Sequence, residues 1–145
     1  MSDDYDELKL ENQLCFPLYV CSKEIVRRYT PILEKIGLTY TSYLVMLVLW
    51  EDDNLSVNEL GNRLWLDSGT LTPLLKKMEA QGLVHRIRME HDERRVKVSL
   101  TEKGHVLRKD ALPVPFQIGS CLSLGKNEMK TLYALLYQVM KGMKS

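Results

Sequence analysis

A chain of 145 residues with 45% hydrophobic content is long enough for one globular domain with its own core. No apolar run approaches the roughly 18 residues that cross a bilayer, and the acidic N-terminus lacks a basic leader, so the expected location is the cytoplasm, with no membrane partner. Three cysteines, Cys15, Cys21 and Cys121, are an odd number in such a chain and argue against a disulfide framework; the net charge of +1 excludes a uniformly basic nucleic-acid binder.

Met1 to Glu7 is acidic and reads as a frayed end. A helix is expected after it, with Leu14, Leu18, Cys21 and Ile25 on one face and Cys15 with Tyr19 on the next. Cys15 and Cys21 stand about 120° apart around that axis and cannot pair while the helix persists. Pro17 implies either a kink there or a new helix starting at the proline itself, with Cys15 just outside. Pro31 is expected to open a short helix that Gly37 ends, and Thr39 to Trp50 to form another with Tyr43, Leu44, Leu47 and Trp50 facing inward.

Ser56 and Glu59 form an S-x-x-E capping box that opens a short helix with Val57, Leu60 and Leu64 on one side. A link from Leu66 to Ser68 leads to a second helix within Asp67 to Gly82, where Leu71, Leu74, Leu75 and Met78 fall at i, i+3, i+4 and i+7. If that helix begins near Thr70, Pro73 lies in its first turn, where a missing N–H costs nothing. Ser68, Thr70, Thr72, Lys76 and Lys77 lie largely off the apolar stripe, and hydroxyls and cations suit phosphates and base edges. Two short helices joined by a tight turn make a helix-turn-helix, whose second helix normally enters the major groove of DNA.

Gly82 should adopt a left-handed cap with Leu83 making the apolar return contact. Arg86 and Arg88 then alternate with Ile87 and Met89, and Arg95, Lys97 and Ser99 with Val96, Val98 and Leu100, around a charged loop from Glu90 to Arg94 that contains Asp92. This is a hairpin with a cationic tip. Residues 1–62 hold five Lys/Arg against eleven Asp/Glu, whereas residues 63–97 hold eight against five, so positive charge collects on the winged segment.

Thr101 begins a further helix that should stop before Pro113 and Pro115; from Lys126 the tail carries Met129, Leu132, Tyr133, Leu136, Val139, Met140 and Met143 at helical spacing. The expected fold is mainly α with a β-hairpin wing: a single winged helix-turn-helix domain over 1–145, with 55–100 the DNA-binding segment. The winged segment is too small to cover both terminal helical regions, so 8–30 and 102–143 read as dimerisation helices. A homodimer suits palindromic double-stranded DNA with half-sites about 10 bp apart. His85, His91 and His105 lack ligand spacing with any cysteine, so no metal or other cofactor is expected. An enzyme is not expected either, because no charged or histidine neighbour close in sequence to Cys15 could drive thiol peroxidase turnover.

The order helix, helix-turn-helix, hairpin wing, terminal helices resembles the MarR family of bacterial transcription regulators. More narrowly, Leu10-Glu11-Asn12-Gln13-Leu14-Cys15, then Leu66-Asp67-Ser68-Gly69-Thr70-Leu71-Thr72-Pro73, and Asp92-Glu93-Arg94 with Ser99-Leu100-Thr101 resemble its organic-hydroperoxide-sensing branch, the OhrR-type repressors. The resemblance spans nearly the whole chain. It implies a repressor whose N-terminal cysteine, matched by Cys15, is oxidised by organic hydroperoxide, after which the dimer leaves its operator. It also implies that tyrosines of the partner subunit hold the reduced thiolate, with Tyr29 and Tyr40 at the matching positions and Tyr19 nearby. Arg94 resembles the arginine that enters the minor groove, with Asp92 orienting it.

The chemistry agrees, since a thiolate rather than a thiol attacks peroxide oxygen and phenolic O–H groups are suitable donors to it. Apolar neighbours Leu14, Phe16 and Leu18 favour larger organic peroxides. Cys121 is a candidate resolving thiol, while a mixed disulfide with a low-molecular-weight thiol is the preferred end state. The alternative reading is a MarR-like repressor released by a small aromatic ligand bound near the dimer interface.

Overall fold

The computed structural model describes residues 4–89 and 92–144, without the side chains of residues 92–94. Along the chain come α1 (Cys15–Glu34), α2 (Tyr40–Glu51), β1 (Leu55–Ser56), α3 (Val57–Leu64), α4 (Ser68–Ala80), β2 (Val84–Met89), β3 (Asp92–Leu100), α5 (Glu102–Ala111), α6 (Val114–Gly119) and α7 (Lys126–Gly142). The expected mainly helical winged helix-turn-helix is present. The chain forms two compact units that divide between Val114 and Pro115.

In the first unit, the segment before α1 is more ordered than its acidity suggests. It makes two 3-10 turns, and the amides of Asn12 and Gln13 donate to the Asp6 and Glu7 carbonyls at 2.7 and 2.8 Å. Helix α1 begins at Cys15, two residues before Pro17, so neither expectation for that proline holds. Pro17 sits in the first turn, where its N–H would have had no acceptor within the helix. Pro31 does not open a helix either: α1 passes through it to Glu34. The carbonyl of Arg27, which Pro31 leaves without its usual bond, belongs to an exposed residue open to water, while fully buried Leu33 holds the last turn on the core. Gly37 at φ +75° then closes the helix, with Leu38 N–H donating to Leu33 O at 3.0 Å.

Thr39 and Ser42 cap α2 reciprocally. This helix buries Ser42, Tyr43, Val45, Met46, Val48 and Leu49, whereas Leu47, expected inward, is 39% exposed. A segment apolar on nearly every side gives periodicity nothing to select, and only the neighbouring helices choose its inner face.

The helix-turn-helix follows. The Ser56 hydroxyl accepts from Glu59 N–H at 3.1 Å and starts α3. Trp65 adopts a left-handed conformation (φ 59°), and Leu66 N–H returns to Gly61 O at 3.0 Å. A Cβ on Gly61 would lie 2.5 Å from the Leu66 carbonyl oxygen, so only glycine permits this turn. Asp67 caps α4 by accepting from Thr70 N–H at 2.7 Å. The helix therefore starts at Ser68, earlier than expected, and Pro73 falls in its second turn rather than its first. Leu71, Leu75 and Met78 are fully buried, which holds α4 continuous across the lost bond. Gly82 at φ +77° and Leu83 N–H donating to Met78 O at 3.0 Å form the expected cap.

The sheet is antiparallel in the order β1-β3-β2, with Leu55 opposite Val98 and Val98 opposite Arg86. The two-residue strand β1 was not expected. Strand β3 starts at Asp92, inside the stretch read as loop, and the register shifts between Arg88 and Met89. The cationic tip, with the roles assigned to the Asp92 and Arg94 side chains, lies outside the described residues. Thr101 caps α5 by accepting from Gly104 N–H at 3.0 Å.

Helix α6 spans the division between the two units and occupies the stretch after the expected stop of α5. A proline is compatible with the first turn of a helix, which is where Pro115 stands. Helix α7 starts with Gly125 N–H donating to the Glu128 carboxylate at 2.9 Å, and it exposes Leu132, Tyr133, Leu135, Leu136, Tyr137 and Val139.

Candidate nucleic-acid interface and thiol site

The face of α4 opposite its buried leucines presents Ser68, Thr70, Lys76 and Lys77 exposed and Thr72 half-buried. Asp67, at the same end of the helix, is committed to its cap. The Thr70 N–H holds its carboxyl below the usual carboxylate range, so the helix starts with a fixed negative charge at the N-terminal end of the dipole.

The wing's cations divide. Arg88 and Arg95 are exposed. Arg86 instead turns inward to Glu79 of α4: its Nη2 donates to Oε1 at 3.2 Å, and its backbone N–H donates to Oε2 at 3.1 Å. Those two bonds, backbone first, keep the Glu79 carboxyl below its usual range. Glu79 was not singled out from the sequence, because nothing local links positions 79 and 86.

Cys15 is exposed at the first residue of α1, flanked by Leu14 (80% exposed), Phe16 and Leu18, which are also exposed. Tyr19 lies one turn on, with the Lys23 Nζ 5.5 Å from its ring centroid. Tyr29 and Tyr40 come together at 4.8 Å between ring centroids, and Tyr43, which sequence reasoning assigned only to the core, joins them at 5.8 Å from Tyr29. These two tyrosines do not meet Cys15 within one chain. Along the unbroken α1 the rise from Cys15 to Tyr29 is about 21 Å.

Burial governs the tyrosine cluster. Tyr29 is pushed up to about 12, by burial first and then by Tyr40 and Tyr43. Tyr40 is raised by burial, and Tyr43 by burial and then Tyr40. All three therefore carry their O–H at neutral pH and can donate. A raised folded-state pKa means that this contribution to stability is complete below the ordinary phenol value of 10.0 and is lost as the pH rises towards about 12. The melting temperature is expected to fall across that window, and to fall less steeply in Tyr29→Phe, when both are followed by circular dichroism. Parallel curves would mean that Tyr29 ionises freely in the folded state.

Cys21 and Cys121 are also exposed. Cys121 follows α6 and donates its Sγ–H to Gln117 O at 3.3 Å. His105 faces Asp53 at 3.4 Å, and no group of side chains that could hold a metal occurs among the described residues. No helix among them is long and apolar enough to cross a membrane.

Comparison with known proteins places this geometry. The profile of the family described as transcriptional regulator SarA/Rot matches residues 27–111. The organic hydroperoxide resistance transcriptional regulator of Bacillus subtilis (strain 168) is 47% identical over 144 residues, covering 97% of this chain and 96% of the relative. The structure of reduced AbfR bound to DNA, a protein of Staphylococcus epidermidis, aligns at a TM-score of 0.76 with 37% identity over 96% of each chain. Wild-type MarR of E. coli in its apo form aligns at 0.71 with 25% identity, over 88% of this chain and 96% of that one. The chain belongs to the SarA/Rot-type transcriptional regulators of the MarR family, in the branch of the organic hydroperoxide resistance regulators.

Proposed function

We propose that this protein is a homodimeric repressor that binds palindromic double-stranded DNA and releases it when an organic hydroperoxide oxidises Cys15. The observation that carries the sensing half is the placement of an exposed Cys15 thiol at one end of a continuous helix whose other end holds protonated Tyr29. One chain cannot join them. Two chains related by a twofold axis can, with the partner's Tyr29 and the partner's Tyr40 donating to the thiolate and Tyr19 beside it. Segments 8–30 and 102–143, which expose apolar side chains such as Leu14, Leu18, Val106, Leu112 and Leu136, serve as the dimerisation helices.

In this reading the thiolate sulfur attacks the outer peroxide oxygen and the O–O bond breaks. The alkoxide leaves as an alcohol after taking a proton, and Cys15 becomes a sulfenic acid. Condensation with a low-molecular-weight thiol then gives a mixed disulfide and water; Cys121 is the competing resolving thiol. The altered sulfur no longer accepts the same phenolic hydrogen bonds, and the dimer geometry changes. The protein acts by binding in the cytoplasm rather than by catalytic turnover.

On the DNA side, segment 55–100 is the binding element. Ser68, Thr70, Thr72, Lys76 and Lys77 face the major groove from α4, Arg88 and Arg95 serve the backbone beside the wing, and Arg94, oriented by Asp92, enters the minor groove. A duplex selected by the protein from a randomised pool, titrated with reduced protein and with protein treated with cumene hydroperoxide, tests both halves. Tight, salt-sensitive binding before treatment and release after it are expected. Binding that survives complete oxidation of Cys15 would end the sensing proposal.

A further inference from the structure

Arg86 lies in the winged segment's basic cluster, yet its side chain is only 23% exposed and is committed to Glu79. On electrostatics alone this pair is out of place, since it sets a carboxylate beside a basic face and neutralises a cation that could have met phosphate. Its geometry suggests another role. One carboxylate receives both a backbone and a side-chain donor from the same residue, fixing the position of β2 as well as the guanidinium. The Arg86 Nε is buried with no hydrogen-bond partner.

The position in the fold is equally informative. Glu79 is in the last turn of α4, and the chain between it and Arg86 reverses through Gly82 in its left-handed conformation. Along β2, Val84 is buried and Arg86 half-buried; after Arg86, Ile87 (58% exposed), Arg88 and Met89 are all exposed. Arg86 is thus the last residue of β2 that is not exposed.

We propose that Glu79 and Arg86 are positioning residues that pin the base of the wing to the recognition helix, so that α4 and the hairpin meet DNA as one rigid unit. Neither side chain touches DNA. The inference rests on the DNA-binding reading above and assigns Arg86 a role different from that of Arg88 and Arg95.

The test uses the full-length reduced protein and a duplex selected by the wild type from a randomised pool, with affinity measured at several salt concentrations. Glu79→Ala should bind roughly tenfold more weakly, about 1.4 kcal/mol. Its plot of log affinity against log salt should also flatten by about one unit for each phosphate contact the wing gives up. Arg86→Ala should show the same loss and the same slope, and the double variant should be no worse than either single one. Glu79→Gln should recover part of the affinity, because its amide oxygen still accepts from the Arg86 N–H.

Thermal unfolding confirms that each variant is folded during the assay, and a purely structural role would leave the slope of the folded protein unchanged. An unchanged or tighter Glu79→Ala complex, with Arg86→Ala alone weakened and flattened, would make Arg86 a direct phosphate ligand and overturn the proposal. A Glu79→Ala complex that weakens with no change of slope would overturn it as well. A wild-type protein that selects no duplex at all would remove the DNA-binding reading itself, and this inference with it.

Discussion

Cys15→Ser is expected to bind the selected duplex as reduced wild-type protein does, and to stay bound when cumene hydroperoxide is added. Serine places a slightly smaller oxygen of similar reach at the first residue of α1, where it still accepts from the partner's phenolic hydroxyls and leaves the helix unchanged. It cannot become a sulfenic acid. Wild-type affinity should drop on oxidation by a factor of roughly 5 to 150, the range usual for coupling between two sites, while the serine variant shows none of that drop. Tyr29→Phe and Tyr40→Phe keep the tilted ring contact and lose only the hydroxyls, so they should bind DNA normally but be released more slowly at a given peroxide concentration. Release of the serine variant at the wild-type rate would assign sensing to another residue.

Gly104→Ala should be among the most destabilising substitutions in the chain. In a helix, alanine is ordinarily better than glycine by about 1 kcal/mol. Here the added Cβ would overlap the Leu83 carbonyl oxygen and lie 3.1 Å from the Leu100 side chain. A backbone carbonyl cannot yield as a flexible side chain does, and that carbonyl already accepts from Thr101 N–H at 3.1 Å. Gly104 also supplies its own carbonyl to the Trp50 indole N–H at 2.9 Å and its N–H to the Thr101 hydroxyl. Separating α5 from the turn before β2 breaks all of these together, so overpacking outweighs helix propensity, for a net loss of about 3 kcal/mol. At equal protomer concentration the melting temperature should fall by roughly 10 °C, with a shift in Trp50 emission. A variant melting within about 2 °C of wild type would show that α5 tolerates displacement at its start.

What the amino-acid sequence determined by itself is the set of features whose causes lie within one or two helical turns. The Ser56 and Thr101 caps, the buried run Leu71, Leu75 and Met78, the left-handed Gly82 and the alternation along β3 follow from contacts between residues a few positions apart, so their spacing carries the answer. The starting points of α1 and α4 were less legible, because proline removes a bond but cannot indicate whether a cap before it or a buried residue beyond it keeps the helix going.

Other features were decided only when distant segments met. The inner face of α2 depends on which sides α3, α4 and α5 cover, and the two residues of β1 are a strand only because Val98 and Lys97 lie opposite. Tyr43 joins Tyr29 and Tyr40 through the crossing of α1 and α2. Arg86, indistinguishable in sequence from Arg88, is drawn inward because the turn at Gly82 brings it back to Glu79. In each case the deciding energy is burial or ion pairing between groups that the chain brings close only after folding, and local spacing does not encode that proximity.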